Sequence, residues 1–191
     1  MGGRTDIYIV GNLIHDCNYA TLMNGLTWSE GGQTPFMLNT IYNCPVGVGE
    51  DYSPFSLNVF NNVFARYTSA IDVWDEYGTW NKCDMDYNLL DGSGNIQWDK
   101  TYDSLGAFIA STDEGDNCIE ANPMFMDAPN GDFRLQEASP VNSMEESPQV
   151  QVVFDRFREL YGIDLREDIE GKERTLYEII KPDTDDDVPS D

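Results

Sequence analysis

Four phrases decide the fold: GNLIHDC at residues 11–17, LNTIYNC at 38–44, NNVFARY at 61–67 and YNLLDGS at 87–93. Each carries an asparagine in its second position, Asn12, Asn39, Asn62 and Asn88, at intervals of 27, 23 and 26 residues. A short apolar stretch follows each one: Leu13-Ile14, Thr40-Ile41-Tyr42, Val63-Phe64 and Leu89-Leu90. A polar residue fixed at such a period marks a solenoid, in which each repeat is one turn and stacked turns share a continuous core.

The composition of the repeat says which solenoid. Leucine-rich repeats need leucines at set offsets, and these are missing here. Helical repeats need a 3.6-residue period held over ten or more positions. The segments here are short, β-branched and aromatic, and Gly, Asn, Asp and Pro separate them. The pattern predicts coils of three short strands, stacked into parallel sheets with strands about 4.8 Å apart. One strand precedes each asparagine (7–10, 36–38, 55–59, 84–87). A second follows it (13–15, 40–42, 63–65, 89–90), and a third lies near 20–22, 46–48 and 70–74. The asparagines then form a structural ladder, each amide donating to one neighbour and accepting from the other. The expected fold class is all-β, a single-stranded parallel β-helix of about four to five coils with a C-terminal cap built from a helix and strands.

The chain has 191 residues, 40% of them hydrophobic, enough for a folded core. It has no stretch long enough to span a bilayer, and residues 1–15 show no secretory signal. With 35 acidic and 11 basic side chains the net charge is −24, which argues against nucleic acid and anionic membranes as partners. The coil pattern begins near Ile7 without room for a cap. We therefore expect N-terminal coils on the same precursor, or another chain, to cover the first coil, because an open sheet edge invites association. Cys17 and Cys44 each lie five residues past a ladder asparagine, so they should stack on adjacent coils within disulfide reach, as a bond or as reduced thiols. Such a bond would indicate an oxidising compartment. Cys83 and Cys118 form a second candidate pair.

After Leu90 the pattern turns irregular, with Trp98, Tyr102, Leu105 and Phe108 as expected anchors. Asn130-Gly131 signals a turn between two short strands. Residues 149–161 read as a helix with Val150, Val153, Phe154, Phe157 and Leu160 on one face and Gly162 past its end. That helix, or the strands before it, is expected to seal the solenoid's end. The expected division is 1–148 for the coils and closing segment, 149–182 for the cap, and 183–191 for a disordered acidic tail.

Asn122-Pro-Met-Phe-Met-Asp127, Gly131-Asp-Phe-Arg-Leu135 and Ser139-Pro-Val141 resemble the closing segment of secreted right-handed parallel β-helix proteins of the pectate-lyase-like group. Tyr87-Asn-Leu and Trp98…Tyr102-Asp-Ser-Leu105 resemble the phrase before that segment, and Asp168-Ile-Glu-Gly-Lys-Glu-Arg174 the one after it. The asparagine phrases are similar to the coils of the same group. The resemblance covers about residues 6–175 and implies a right-handed, carbohydrate-active solenoid, secreted or periplasmic, that binds glycans in a groove along one sheet. It implies a dozen or so coils, more than this chain shows, and neither polygalacturonase nor pectate-lyase signatures are present.

The third strands and their loops supply the candidate site residues. Asp72 and Asp75 are the candidate acid and base, with His15, the only histidine, as a further candidate base. Trp74, Glu76, Trp80 and Asp16 are candidate substrate contacts, since a carboxylate beside an aromatic ring suits a sugar. Glu50 and Asp51, beside Asp75 and Glu76, are candidate calcium ligands; no cofactor is certain, and Ca²⁺ is the one considered. The expected partner is a polysaccharide or oligosaccharide. The expected function is glycoside hydrolysis of an extracellular glycan, because a chain so acidic would repel a polyanionic substrate. The alternatives are a calcium-assisted lyase or epimerase on uronic glycans, and a non-catalytic β-helix adhesin or fibre module.

Overall fold

The computed structural model describes residues 7–24, 33–51, 56–73 and 84–167, and within them the chain winds into an all-β parallel solenoid. The first turn contributes β1 (Ile9–Val10), β2 (Leu13–His15) and β3 (Tyr19–Asn24). The second contributes β4 (Gln33–Met37), β5 (Thr40–Tyr42) and β6 (Val46–Asp51), and the third β7 (Ser56–Phe60), β8 (Val63–Ala65) and β9 (Ser69–Val73). A shorter passage follows: β10 (Asp84–Asp86), β11 (Leu89–Leu90) and β12 (Asn95–Gln97). Corresponding strands pair in parallel, so that Leu13, Thr40, Val63 and Leu89 lie in one register row. The strands predicted around each asparagine are found within a few residues of their expected bounds.

The solenoid has about three turns, where four to five were expected. The cause lies in residues 92–117. After β12 the chain doubles back into β13 (Thr101–Tyr102), antiparallel to β12, and then into a short helix α1 (Leu105–Ile109). Ser104 caps α1, its hydroxyl accepting from the Ala107 N–H at 3.1 Å. Tyr102, Leu105 and Phe108 are buried with Met85, Leu90 and Ile96, and so plug the interior beyond the last turn. A single strand, β14 (Ile119–Glu120), rejoins the second sheet beside β11.

Alternation along the strands sorts the side chains. Phe36, Ile41, Phe64, Leu57, Val59 and Ile71 fill the interior, with the Phe36 and Phe64 rings stacked at 6.4 Å. Each such side chain, fully buried, contributes about 1.5–3 kcal/mol. The outward residues Met37, Leu38, Phe60, Val63 and Leu89 are buried instead under α2 (Pro148–Tyr161), through Val150, Val153 and Phe154. The contacts of α2 therefore run along the flank of several turns, and the end of the solenoid, expected to be sealed by this helix or the strands before it, is plugged by β13 and α1. Gly162, at φ 68°, ends α2 as the sequence suggests.

The asparagine ladder is present and runs one way. Asn12 donates from its backbone N–H and its Nδ2 to Asn39 Oδ1, both at 3.0 Å. Asn39 does the same to Asn62, and Asn62 to Asn88. Each of the last three amides also reaches back to a carbonyl of the preceding turn: Ile9, Phe36 and Val59 respectively. The residue before each rung, Gly11, Leu38, Asn61 and Tyr87, has φ between 53° and 70°, which turns the asparagine inward.

A fifth rung is not an asparagine. Asn88 donates its N–H to Cys118 Sγ at 3.3 Å, and its Nδ2 lies 3.8 Å from the same sulfur. Cys118 precedes β14 as the asparagines precede β2, β5, β8 and β11. Sulfur is a weak acceptor. Burial, the largest influence, pushes the Cys118 thiol up to about 12, so it is a neutral rung. Its expected partner Cys83 lies outside the described residues. Cys118→Asn should raise stability by about 1 kcal/mol, by replacing a weak acceptor with an amide oxygen. Met85, in register with Val59, places its carbonyl where the new amide would donate. A higher urea midpoint with an unchanged slope is the expected readout, and a lower one would contradict the rung assignment.

Candidate functional site

The corner that follows the second sheet gathers a column of polar side chains. Asp16, Asn43 and Arg66 come directly after β2, β5 and β8, at φ 56°, 53° and 55°. Asparagine and aspartate adopt this conformation readily and arginine does not, so Arg66 is held there by the turns above and below. Asp91 follows β11 in the same column.

Hydrogen bonds tie the column together. Asn43 Nδ2 donates to Asp16 Oδ1, and His15 Nδ1 sits 2.8 Å from Asp16 Oδ2. The Asn43 amide first, and His15 next, hold the Asp16 carboxyl below its ordinary range. The Arg66 backbone N–H donates to Asp91 Oδ2 at 2.7 Å, and Ser93 N–H to Asp91 Oδ1 at 2.9 Å. The Arg66 guanidinium lies over the Tyr42 ring, 5.6 Å from its centroid, and donates to the Tyr42 hydroxyl at 2.8 Å.

A hairpin roofs the outer face of this sheet. Its strands β15 (Phe125–Asp127) and β16 (Asp132–Leu135) run antiparallel, and Gly131, at φ 87°, makes the turn that Asn130-Gly131 signalled. The Phe133 ring lies 5.3 Å from Tyr42 and 5.1 Å from His15, and Phe125 lies 6.0 Å from Tyr42. Between the hairpin and the corner runs an open groove of about 390 Å³, lined among others by Tyr42, Arg66, Asp91, Asn122, Met126 and Asp127.

Charge is distributed unevenly here. Arg134, Arg156, Arg158 and Arg166 each pair with a carboxylate: Asp132, Glu159, Asp155 with Asp164, and Glu146. Among the described arginines, Arg66 alone makes no such pair, and it lines the groove. The groove's carboxylates have local donors already. Asp91 is held by the two backbone N–H groups above, and Asp127 accepts from Asn130 Nδ2 at 2.7 Å.

Of the residues singled out from sequence, His15 and Asp16 belong to this corner. Asp72 lies on β9 in the third sheet, half-buried, in register with Gly49 and Gln97. Glu50 and Asp51 lie in β6, with side chains outside the described residues, as are Trp74, Asp75, Glu76 and Trp80 entirely. Among the described residues no three His, Cys, Asp or Glu side chains are grouped to hold a metal. No described helix is long and apolar enough to cross a membrane.

Arg66, Tyr42, Asn43 and Asp91 were not singled out, although the repeat carried a signal for them. Asp16, Asn43 and Arg66 each stand four residues past their ladder asparagine, a second fixed offset beside the ladder itself. No protein-family model, curated protein or solved structure matches the chain.

Proposed function

We propose that this solenoid is part of a polysaccharide-processing, right-handed β-helix protein of pectate-lyase-like type, secreted or periplasmic, and that the corner groove is a place where it holds its glycan. The observation that carries the reading is the groove itself. An open trough that combines a guanidinium without a carboxylate partner, an amide at Asn122, carboxylates and the apolar residues Met126 and Pro123 offers the mixed polar and apolar contact a sugar needs. The resemblance of the closing segment to β-helix proteins supports the same class.

The groove is suited to contact more than to bond cleavage, because both oxygens of Asp91 and one oxygen of Asp127 are engaged by local N–H donors. Hydrolysis through paired carboxylates falls instead to Asp72, on β9, with Asp75, outside the described residues, as the partner expected from the sequence. Glu50 and Asp51, in β6, are the residues proposed to hold Ca²⁺.

Titration of the purified chain with neutral and uronic oligosaccharides, with and without calcium, tests the proposal by calorimetry or by NMR shift mapping. Binding with shifts centred on Tyr42, Arg66 and Met126 is expected. Arg66→Ala should weaken it about three- to tenfold, the loss of one or two exposed charged hydrogen bonds. Binding that leaves Arg66→Ala unaffected, or no binding at all, would overturn the assignment of the groove.

A further inference from the structure

The thiols of Cys17 and Cys44 meet across the first two turns, immediately behind the corner just described. Their sulfur atoms lie 2.9 Å apart, and both cysteines are free. Cys17 follows Asp16 and Cys44 follows Asn43, the two residues whose side chains join in the corner column. The two thiols differ in access. Cys17 is partly exposed, whereas Cys44 is fully buried, beside the Ile14 and Tyr42 carbonyls.

We propose that Cys17 and Cys44 are an oxidisable pair, converted by a small-molecule disulfide into a bond that staples the first turn to the second. The site is independent of the glycan reading. The Cys17 thiolate attacks one sulfur of the oxidant, forms a mixed disulfide and releases one thiol. Cys44, on losing its proton to solvent, attacks the Cys17 sulfur and expels the second thiol. Two thiols of the protein are oxidised and one external disulfide is reduced to two thiols.

The geometry dictates the order of the steps. Only Cys17 is reached from solvent, so it enters first and Cys44 resolves. Burial, the largest influence on Cys44, raises its pKa and still acts once Cys17 is a mixed disulfide. The second step is therefore slow at neutral pH and should accelerate about tenfold per pH unit as the thiolate fraction rises. The bond would close a loop from residue 17 to residue 44 and fix β1, β2 and β3, each an edge strand of its sheet among the described residues, onto the second turn.

The test is to treat the reduced chain with oxidised glutathione between pH 7 and pH 9 and to follow it by intact mass and peptide mapping. The expected product has lost two hydrogen atoms and links Cys17 to Cys44, by way of a glutathione adduct on Cys17 that decays faster at higher pH. Cys44→Ser should trap that adduct, and Cys17→Ser should leave Cys44 unmodified. Hydrogen exchange in β1–β3 should slow by about tenfold or more on oxidation. The proposal fails if the adduct on wild-type Cys17 persists, if Cys17 links instead to Cys83 or Cys118, or if exchange in the first turn is the same in both redox states.

Discussion

Asn62→Ala should destabilise the protein by about 3–6 kcal/mol, enough to threaten folding of a domain whose whole margin is about 5–15 kcal/mol. Asn62 is fully buried in the middle of the ladder. Its Oδ1 accepts from the backbone and the side chain of Asn39. Its Nδ2 donates to Asn88 Oδ1 and to the carbonyls of Phe36 and Phe60. Alanine leaves at least two buried donors of Asn39 without an acceptor, and each such orphan costs about 1–3 kcal/mol. Asn12 donates only to Asn39 Oδ1 and to the Val10 carbonyl, no described rung donates to its Oδ1, and it stands exposed on the first turn, where water can replace the amide. Asn12→Ala should therefore cost about 1 kcal/mol or less. Urea denaturation of the two variants measures the difference, and equal losses would mean that the ladder is incidental.

The second large effect is expected at Gly94. A Cβ there would lie 2.3 Å from the Thr68 carbonyl oxygen and 2.6 Å from that of Tyr67. Neither atom can rotate away, and the Thr68 oxygen already accepts the Asn95 N–H at 2.9 Å, a bond that ties the last passage to the third turn. Gly94→Ala should cost about 3 kcal/mol, the upper end of overpacking penalties. Gly106, inside α1, is the matched control. A Cβ on it meets nothing within 4 Å, so Gly106→Ala should be neutral or stabilise by up to about 1 kcal/mol. A thermal midpoint that falls steeply for the first variant and holds or rises for the second is the expected result. Similar shifts in both would show that the close approach of Gly94 to the turn beneath it is wrong.

What the sequence made legible follows from how local each signal is. The ladder could be read because the same amide recurs at a steady interval beside the same apolar stretch. The strands around it could be placed because alternation and turn residues are properties of a few adjacent positions. The helix α2 and its terminal Gly162 were visible for the same reason. Its apolar stripe shows that it packs, but not against what, so the sequence does not say whether it covers the flank or the end. Five-residue α1 is too short for a helical period to register. The reversal into β13 depends on Tyr102, Leu105 and Phe108 finding the open interior, a tertiary event with no local mark. Cys118 was hidden because it fills the rung's place without the rung's side chain.

The candidate site was less legible than the fold. His15 and Asp16 drew attention by type, a lone histidine beside a carboxylate. Arg66 did not, since an arginine in a turn is ordinary until its neighbours are known. Its meaning comes from position: stacked between Asn43 and Asp91, over Tyr42, facing a groove, and without the carboxylate partner that the other described arginines have. Tyr42 itself reads as a core aromatic, and only the roofing hairpin shows that it lines a groove.

The central claim is that successive turns stack in parallel with their asparagine amides joined in one direction. Solution NMR tests it most directly, through scalar couplings across hydrogen bonds and cross-strand proton contacts. The account predicts a coupling from the Asn39 backbone N–H to the side-chain carbonyl carbon of Asn62, together with contacts that place Ile14, Ile41, Phe64 and Leu90 in one row. Close Hα–Hα contacts between β5 and β8, the mark of antiparallel pairing, or a coupling from Asn62 back to Asn39, would contradict it.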